Sequence, residues 1–233
     1  MKLMCALCKI QACDIEPASA VYPSYCPMGD EDERTQAVFQ TSREIYRQDG
    51  MERTIAQEAA RTEAVGYLKW PRMQEVMEFA WRINAKHLGV AHCIGMLEEA
   101  RIVHKLLETN GFQVSSVCCK VGSIPKTEVG LTLDETLFPD GFDPLCNPIG
   151  QAKLLNIAKT DLNVLVGLCV GHDTLFLMHS QAPATVLIAK DRVTGHNPAA
   201  ALYTSHSYFE RLNHVRENRD QAQEGPHTEK LSP

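Results

Sequence analysis

The 233-residue sequence predicts an α/β fold: a three-layer parallel sheet of the Rossmann or flavodoxin-like type, preceded by a four-cysteine metal segment and a helical lead-in. Three observations predict it. Four short runs rich in Val, Leu and Ile (residues 88–93, 114–119, 164–170 and 185–191) alternate with helical patterns. Such a βαβαβαβα order builds a parallel sheet with right-handed crossovers. The run 164–172, VLVGLCVGH, is apolar until it breaks at Gly171, which is the pattern of a strand covered on both faces. Finally, the runs end in chemically active residues: Cys93, the pair Cys118 and Cys119, Cys169, and the triplet Lys190, Asp191 and Arg192. Open α/β sheets keep their ligand sites at the carboxyl ends of the strands.

Four segments follow from composition. Residues 1–29 hold Cys5, Cys8, Cys13 and Cys26 in the spacing C-x2-C-x4-C-x12-C, with a proline after the last. Four thiolates in so short a span can close a tetrahedral zinc site, and an iron–sulfur cluster takes the same ligands. A segment with so little apolar material has little else to fold around. Residues 30–86 read as three helices. The first opens on acidic residues and stops at Asp49-Gly50, the second spans about 52–68, and the third runs from Pro71 to about 86. These supply packing and no chemistry. Residues 87–213 form the α/β domain. Its helices cover 98–110, 148 to about 160, a short stretch from Asp173, and Pro198 to about Val215. Between its second strand and second helix, residues 123–147 are irregular and rich in Pro and Gly. A loop of that length in a compact domain is more often functional than filler. Residues 214–233 are polar and read as a solvated tail.

Composition also excludes. The net charge is −6, without a basic stripe, so nucleic acid is not an expected partner. No apolar run approaches the ~20 residues of a membrane helix, and the first residues lack the apolar core of a signal peptide. The expected location is therefore the cytoplasm. Nine cysteines in a reducing compartment point to metal or redox chemistry rather than disulfides. A nucleotide enzyme is disfavoured, because the first βα turn reads CIGMLEEA and not G-x-G-x-x-G.

In this layout Cys93, Cys119, Cys146 and Cys169 share one edge of the sheet and are the candidate ligands of an iron–sulfur cluster, [4Fe-4S] by preference, or of zinc. One cysteine at a strand end means little, since free Cys is often buried, but several independent segments ending alike are harder to dismiss. His172 and His196 follow glycines and precede Asp173 and Asn197, which can fix an imidazole or simply cap a helix. Lys190 and Arg192, with Asp191 between them, can clamp an anion or form a surface ion pair. His172, His196, Lys190, Asp191 and Arg192 are thus the candidate catalytic residues.

The strings CALC-x4-C, AHCIGMLEEA, VCCKVGSIP, LCNPIGQAKLLN, VGLCVGHDTLF and KDRVTGHNP, followed by AALY, run across nearly the whole chain. In them the chain resembles a prokaryotic family of unknown function, DUF1847, whose members are generally labelled only as metal-binding proteins. The resemblance implies metal binding through cysteine and carries no established reaction. It leads one to expect a single cysteine where Cys118 and Cys119 stand, and Cys119, beside Lys120, is the functional choice. Two functions follow. One is an iron–sulfur lyase or oxidoreductase acting on a small anionic or sulfur-containing substrate, served by a redox partner; the other is a non-catalytic zinc-binding sensor or carrier.

Overall fold

The structure, a computed structural model, describes residues 3–16 and 19–214. The polar tail expected from 214 onward therefore lies, beyond His214, outside the described residues. The backbone groups into two compact units, Met1–Val65 and Gly66–Pro233.

The first unit begins with short turns around the four cysteines, followed by helix α1 (Glu33–Arg47) and most of α2 (Met51–Gly66). Asp32 starts α1 by accepting the Arg34 N–H at 2.9 Å, an N-cap bond that satisfies one of the free donors of the first turn.

The second unit is an all-parallel sheet of four strands, β1 (His87–His92), β2 (Gln113–Cys118), β3 (Leu162–Val166) and β4 (Ala184–Ile188), in the order β2-β1-β3-β4. Helices α3 (Arg72–Arg82), α4 (Leu97–Thr109), α5 (Pro148–Ala158), α6 (His172–His179) and α7 (Pro198–Tyr203) complete it. Alternation along the strands explains the layering. Leu88, Val90, Leu162 and Val164 point to one face and are buried with Val76 and Ala80 of α3 and Ala100, Val103 and Leu107 of α4. Ala91 and Leu165 point to the other, against Ala152 and Leu155 of α5 and Phe176 of α6. Helices thus cover both faces. Arg72, at the start of α3, donates to Val186 O at 3.0 Å and occupies the free rim of edge strand β4.

Several boundaries differ from the sequence reading; β4 ends at Ile188, so Lys190, Asp191 and Arg192 lie in the turn after it. Strand β3 ends at Val166 and not at the cysteine three residues later, because Gly167 turns with φ +67° and a Cβ there would lie 2.0 Å from the Met96 sulfur. Its N–H still pairs with Ile188 O at 2.8 Å, so the chain leaves the sheet as it bends. The last helix is also shorter: α7 closes at Tyr203, and the chain continues in turns to a 3-10 turn at Glu210–Asn213. The irregular loop after β2 is stapled rather than loose. Lys126 pairs with the buried carboxylate of Asp143, Leu137 N donates to the same carboxylate at 2.9 Å, and Lys120 Nζ donates to Pro144 O. No helix among the described residues is long and apolar enough to cross a membrane.

A thiol site at the carboxyl edge of the sheet

The strand order reverses direction between β1 and β3, since β1 leads outward to β2 and β3 outward to β4. The crevice beyond the carboxyl ends of such a strand pair is where open α/β sheets place ligands. Three cysteines reach it. Cys93 is the first residue past β1, and its N–H bonds to Val166 O at 3.1 Å. Cys119 is the first past β2, its N–H bonded to His92 O at 2.8 Å. Cys146 arrives from the long loop, because Asn147 N donates to Cys119 O at 2.7 Å and Leu145 N to Ile124 O at 2.7 Å. Asn147 then caps α5 by accepting the Gly150 N–H at 2.8 Å and ties itself to Val121 O at 3.1 Å.

The thiols meet. The Cys119 side chain packs with Cys93 and Cys146, its sulfur accepts the Ile94 N–H at 3.3 Å, and it is only 2 % exposed. Cys146 is hydrogen-bonded in turn to His172, the first residue of α6. The protons divide unevenly along this array. Cys119, bonded to Cys146 and Cys93 and desolvated, is held as the neutral thiol, its pKa pushed up. Cys146 is lowered to about 4, first by its bond from Cys119, then by His172, with Lys120 adding to the effect. Cys93 is lowered to about 5 by Cys119 first, with the Gly95 N–H and Lys190 assisting. His172 is raised, chiefly by Cys146. The array thus favours thiolates at Cys93 and Cys146, the neutral thiol at Cys119 and the protonated form of His172.

Cations complete the rim. Arg192 Nη2 donates to Cys169 Sγ at 3.1 Å, and the Lys190 ammonium lies 3.3 Å from Gly95 O, on the Cys93 turn. The Arg192 guanidinium is raised, first by Cys169, with Cys93 and Cys146 contributing. Cys169 itself lies beyond Gly167 and accepts the His172 and Asp173 N–H groups on its carbonyl at 3.0 and 3.1 Å. Asp191 and His196 are placed differently. Asp191 Oδ1 accepts Val193 N at 2.9 Å and Thr194 N at 3.0 Å, while Asp191 N donates to His196 Nδ1 at 3.1 Å and His196 N to Asp191 O at 2.8 Å. These two close a loop upon each other, whereas His172, Lys190 and Arg192 face the thiols. Asp173 bonds the N–H of Thr174 at 2.8 Å.

Sequence reasoning missed Gln151. It is fully buried in α5, and its Nε2 bridges His92 O at 3.1 Å and Val117 O at 2.7 Å, fixing the two strand ends from which Cys93 and Cys119 depart. Its Oε1 has no hydrogen-bond partner. The signal was a polar residue beside Ala152 and Leu155 on the inner face of an apolar helix.

In the first unit, Cys8 Sγ accepts the Gln11 N–H at 3.4 Å, with Gln11 in the left-handed conformation at φ 51°. The Cys8 thiol is lowered by that N–H, then by the Ile10 N–H and the Tyr25 hydroxyl, and Tyr25 is raised by Cys8 with Cys26 and Cys5 adding to it. Cys5, Cys8 and Cys26 thus all act on Tyr25, while Cys13 is exposed in the turn Ala12–Asp14. Among the described residues, no three side chains of His, Cys, Asp or Glu are already gathered as the ligands of a single ion.

The molecule is thus a parallel α/β protein with a thiol array at its topological switch point. The chain belongs to the family described as Protein of unknown function (DUF1847), which matches residues 30–187. That stretch includes Cys93, Cys119, Cys146, Cys169 and His172. An uncharacterized protein of Methanocaldococcus jannaschii is 45 % identical over 158 residues, covering 68 % of this chain and 79 % of that one. No solved structure matches.

Proposed function

We propose that the chain is a cytoplasmic metal-binding protein of Rossmann-like fold, whose principal centre is an iron–sulfur cluster held by Cys93, Cys119 and Cys146, with Cys169 at its rim. The observation that carries the reading is the packing of Cys93, Cys119, Cys146 and Cys169 in one cluster at the reversal of strand order. Soft thiolate donors select zinc, copper(I) and iron–sulfur clusters over hard cations. A cluster with three protein thiolates would supply an open iron as Lewis acid or electron relay. The chain supplies the rest. Arg192 and Lys190 hold a small anionic or sulfur-containing substrate, His172 gives or takes a proton at the position where it now meets Cys146, and Gln151 fixes the strand ends. The strand order is that of a flavodoxin-like sheet with four strands, which supports the same placement. Cys5, Cys8, Cys13 and Cys26 hold a zinc ion or a second cluster; the N–H groups turned toward Cys8 suit a thiolate ligand.

The test is anaerobic purification followed by iron, zinc and acid-labile sulfide analysis of wild type and of Cys119→Ala. The expected result is brown protein whose sulfide and an increment of iron vanish in the variant. Colourless protein with zinc unchanged in the variant would leave the other reading, a non-catalytic zinc-binding sensor or carrier.

A further inference from the structure

Three cysteines packed in one cluster at the sheet edge offer more than ligands, and the geometry points to sulfane-sulfur reduction: Cys146 takes the terminal sulfur of a small persulfide, and Cys119 resolves it as hydrosulfide. This rests on the reading of the sheet edge as the functional site, and it concerns the chain in which Cys119 and Cys146 carry no metal.

The arrangement supplies each requirement of that chemistry. Cys146 is the thiol that meets His172, on the one segment of the array delivered by a loop rather than a strand. Cys119 touches it, and the Asn147 N–H bonded to Cys119 O at 2.7 Å keeps the two backbones together, so a bond between the sulfurs closes without moving the strands. Cys93 touches Cys119 from the far side. A persulfide and hydrosulfide are both polarizable anions, and Lys120, Lys190, Arg192 and His172 all face this group of sulfurs. The Asp191 carboxylate beside Lys190 and Arg192 is turned into its own loop and accepts two backbone N–H groups.

The steps balance. The Cys146 thiolate attacks the outer sulfur of R–S–SH; the donor S–S bond breaks, its electron pair leaves on R–S⁻, and Cys146–S–SH forms. The Cys119 proton passes to R–S⁻, giving R–SH. The Cys119 thiolate then attacks Cys146 Sγ, forming the Cys119–Cys146 disulfide and expelling HS⁻. Two thiols are oxidised and one sulfane sulfur is reduced to sulfide. A dithiol reductant restores the pair.

The experiment treats the full-length chain, as purified anaerobically and after chelation of its metal, with glutathione persulfide, and reads hydrosulfide release and alkylated peptide masses. In wild type freed of its metal we expect about one hydrosulfide per chain and a disulfide mapped to Cys119 and Cys146. Cys119→Ser is expected to keep one added sulfur on Cys146 and to release hydrosulfide more slowly by tenfold or more. Cys146→Ser is expected to do neither, while Cys118→Ser matches wild type. Added sulfur on Cys118, or scattered over Cys5 and Cys13, would overturn the proposal, as would a hydrogen peroxide arm that gives the disulfide when the persulfide gives none. Metal content of the same samples separates the two claims: protein with iron and sulfide that is inert to persulfide in both forms sinks this one alone, and metal-free protein that reduces persulfide sinks the cluster alone.

Discussion

At the scale of single residues the site is an unequal sharing of protons. Cys146 is depressed from 9.0 to about 4, so its contribution to stability is complete above the ordinary thiol value and is lost as pH falls toward about 4. His172 is raised above 6.5, so its contribution is complete below that value and is lost as pH rises through its folded pKa. The ion pair therefore exists from about pH 4 up to the folded pKa of His172, which lies above 6.5. Metal-free protein should accordingly alkylate at Cys146 with little loss of rate down to about pH 5, where an ordinary thiol is almost wholly protonated. His172→Asn should move that profile toward higher pH, and peptide mapping of iodoacetamide labelling against pH checks it. A profile unchanged in the variant would remove His172 from the site.

At the scale of elements, the turns that leave the sheet do the positioning. Gly167 has φ +67°, and its absent Cβ leaves room for the Met96 sulfur beneath the crevice. Gly167→Ala should cost about 1–3 kcal/mol through overpacking, with backbone strain added, in urea unfolding of the metal-free protein. A loss below a few tenths would show that the turn relaxes freely. Asn147→Ala removes the cap of α5 and the tie to Val121, at an expected cost of about 1 kcal/mol, and should also lower metal affinity, since Cys146 is the preceding residue. These turns mark where the sequence became hard to read. Strands β1 and β2 were legible within one residue, because runs such as LGVA are apolar on both faces, whereas β4 ends three residues before the expected 191. The end of β3 was not legible, because VLVGLCVG stays apolar past the glycine that bends it, and only the partner residue Met96 explains the bend.

At the scale of the molecule, the parallel order and two-sided covering were legible from the alternation of apolar runs and helices, and so was the convergence of cysteines on one edge. What the sequence withheld was which cysteines touch. Cys146 lies far from Cys119 in sequence and reaches it through a loop stapled by Lys126, Asp143 and Lys120. His196 and Asp191 look identical in pattern to functional residues, yet their hydrogen bonds close a turn. A short linear pattern cannot separate a cap from a proton donor, because both need the same polar atoms at a helix start. The most direct test is an anomalous difference map, collected on either side of the iron edge, from crystals of anaerobically purified protein. The account predicts iron density bonded to Cys93, Cys119 and Cys146 beyond the carboxyl ends of β1 and β3. Iron confined to the N-terminal cysteines, or those three sulfurs free of metal in protein that contains it, would contradict it.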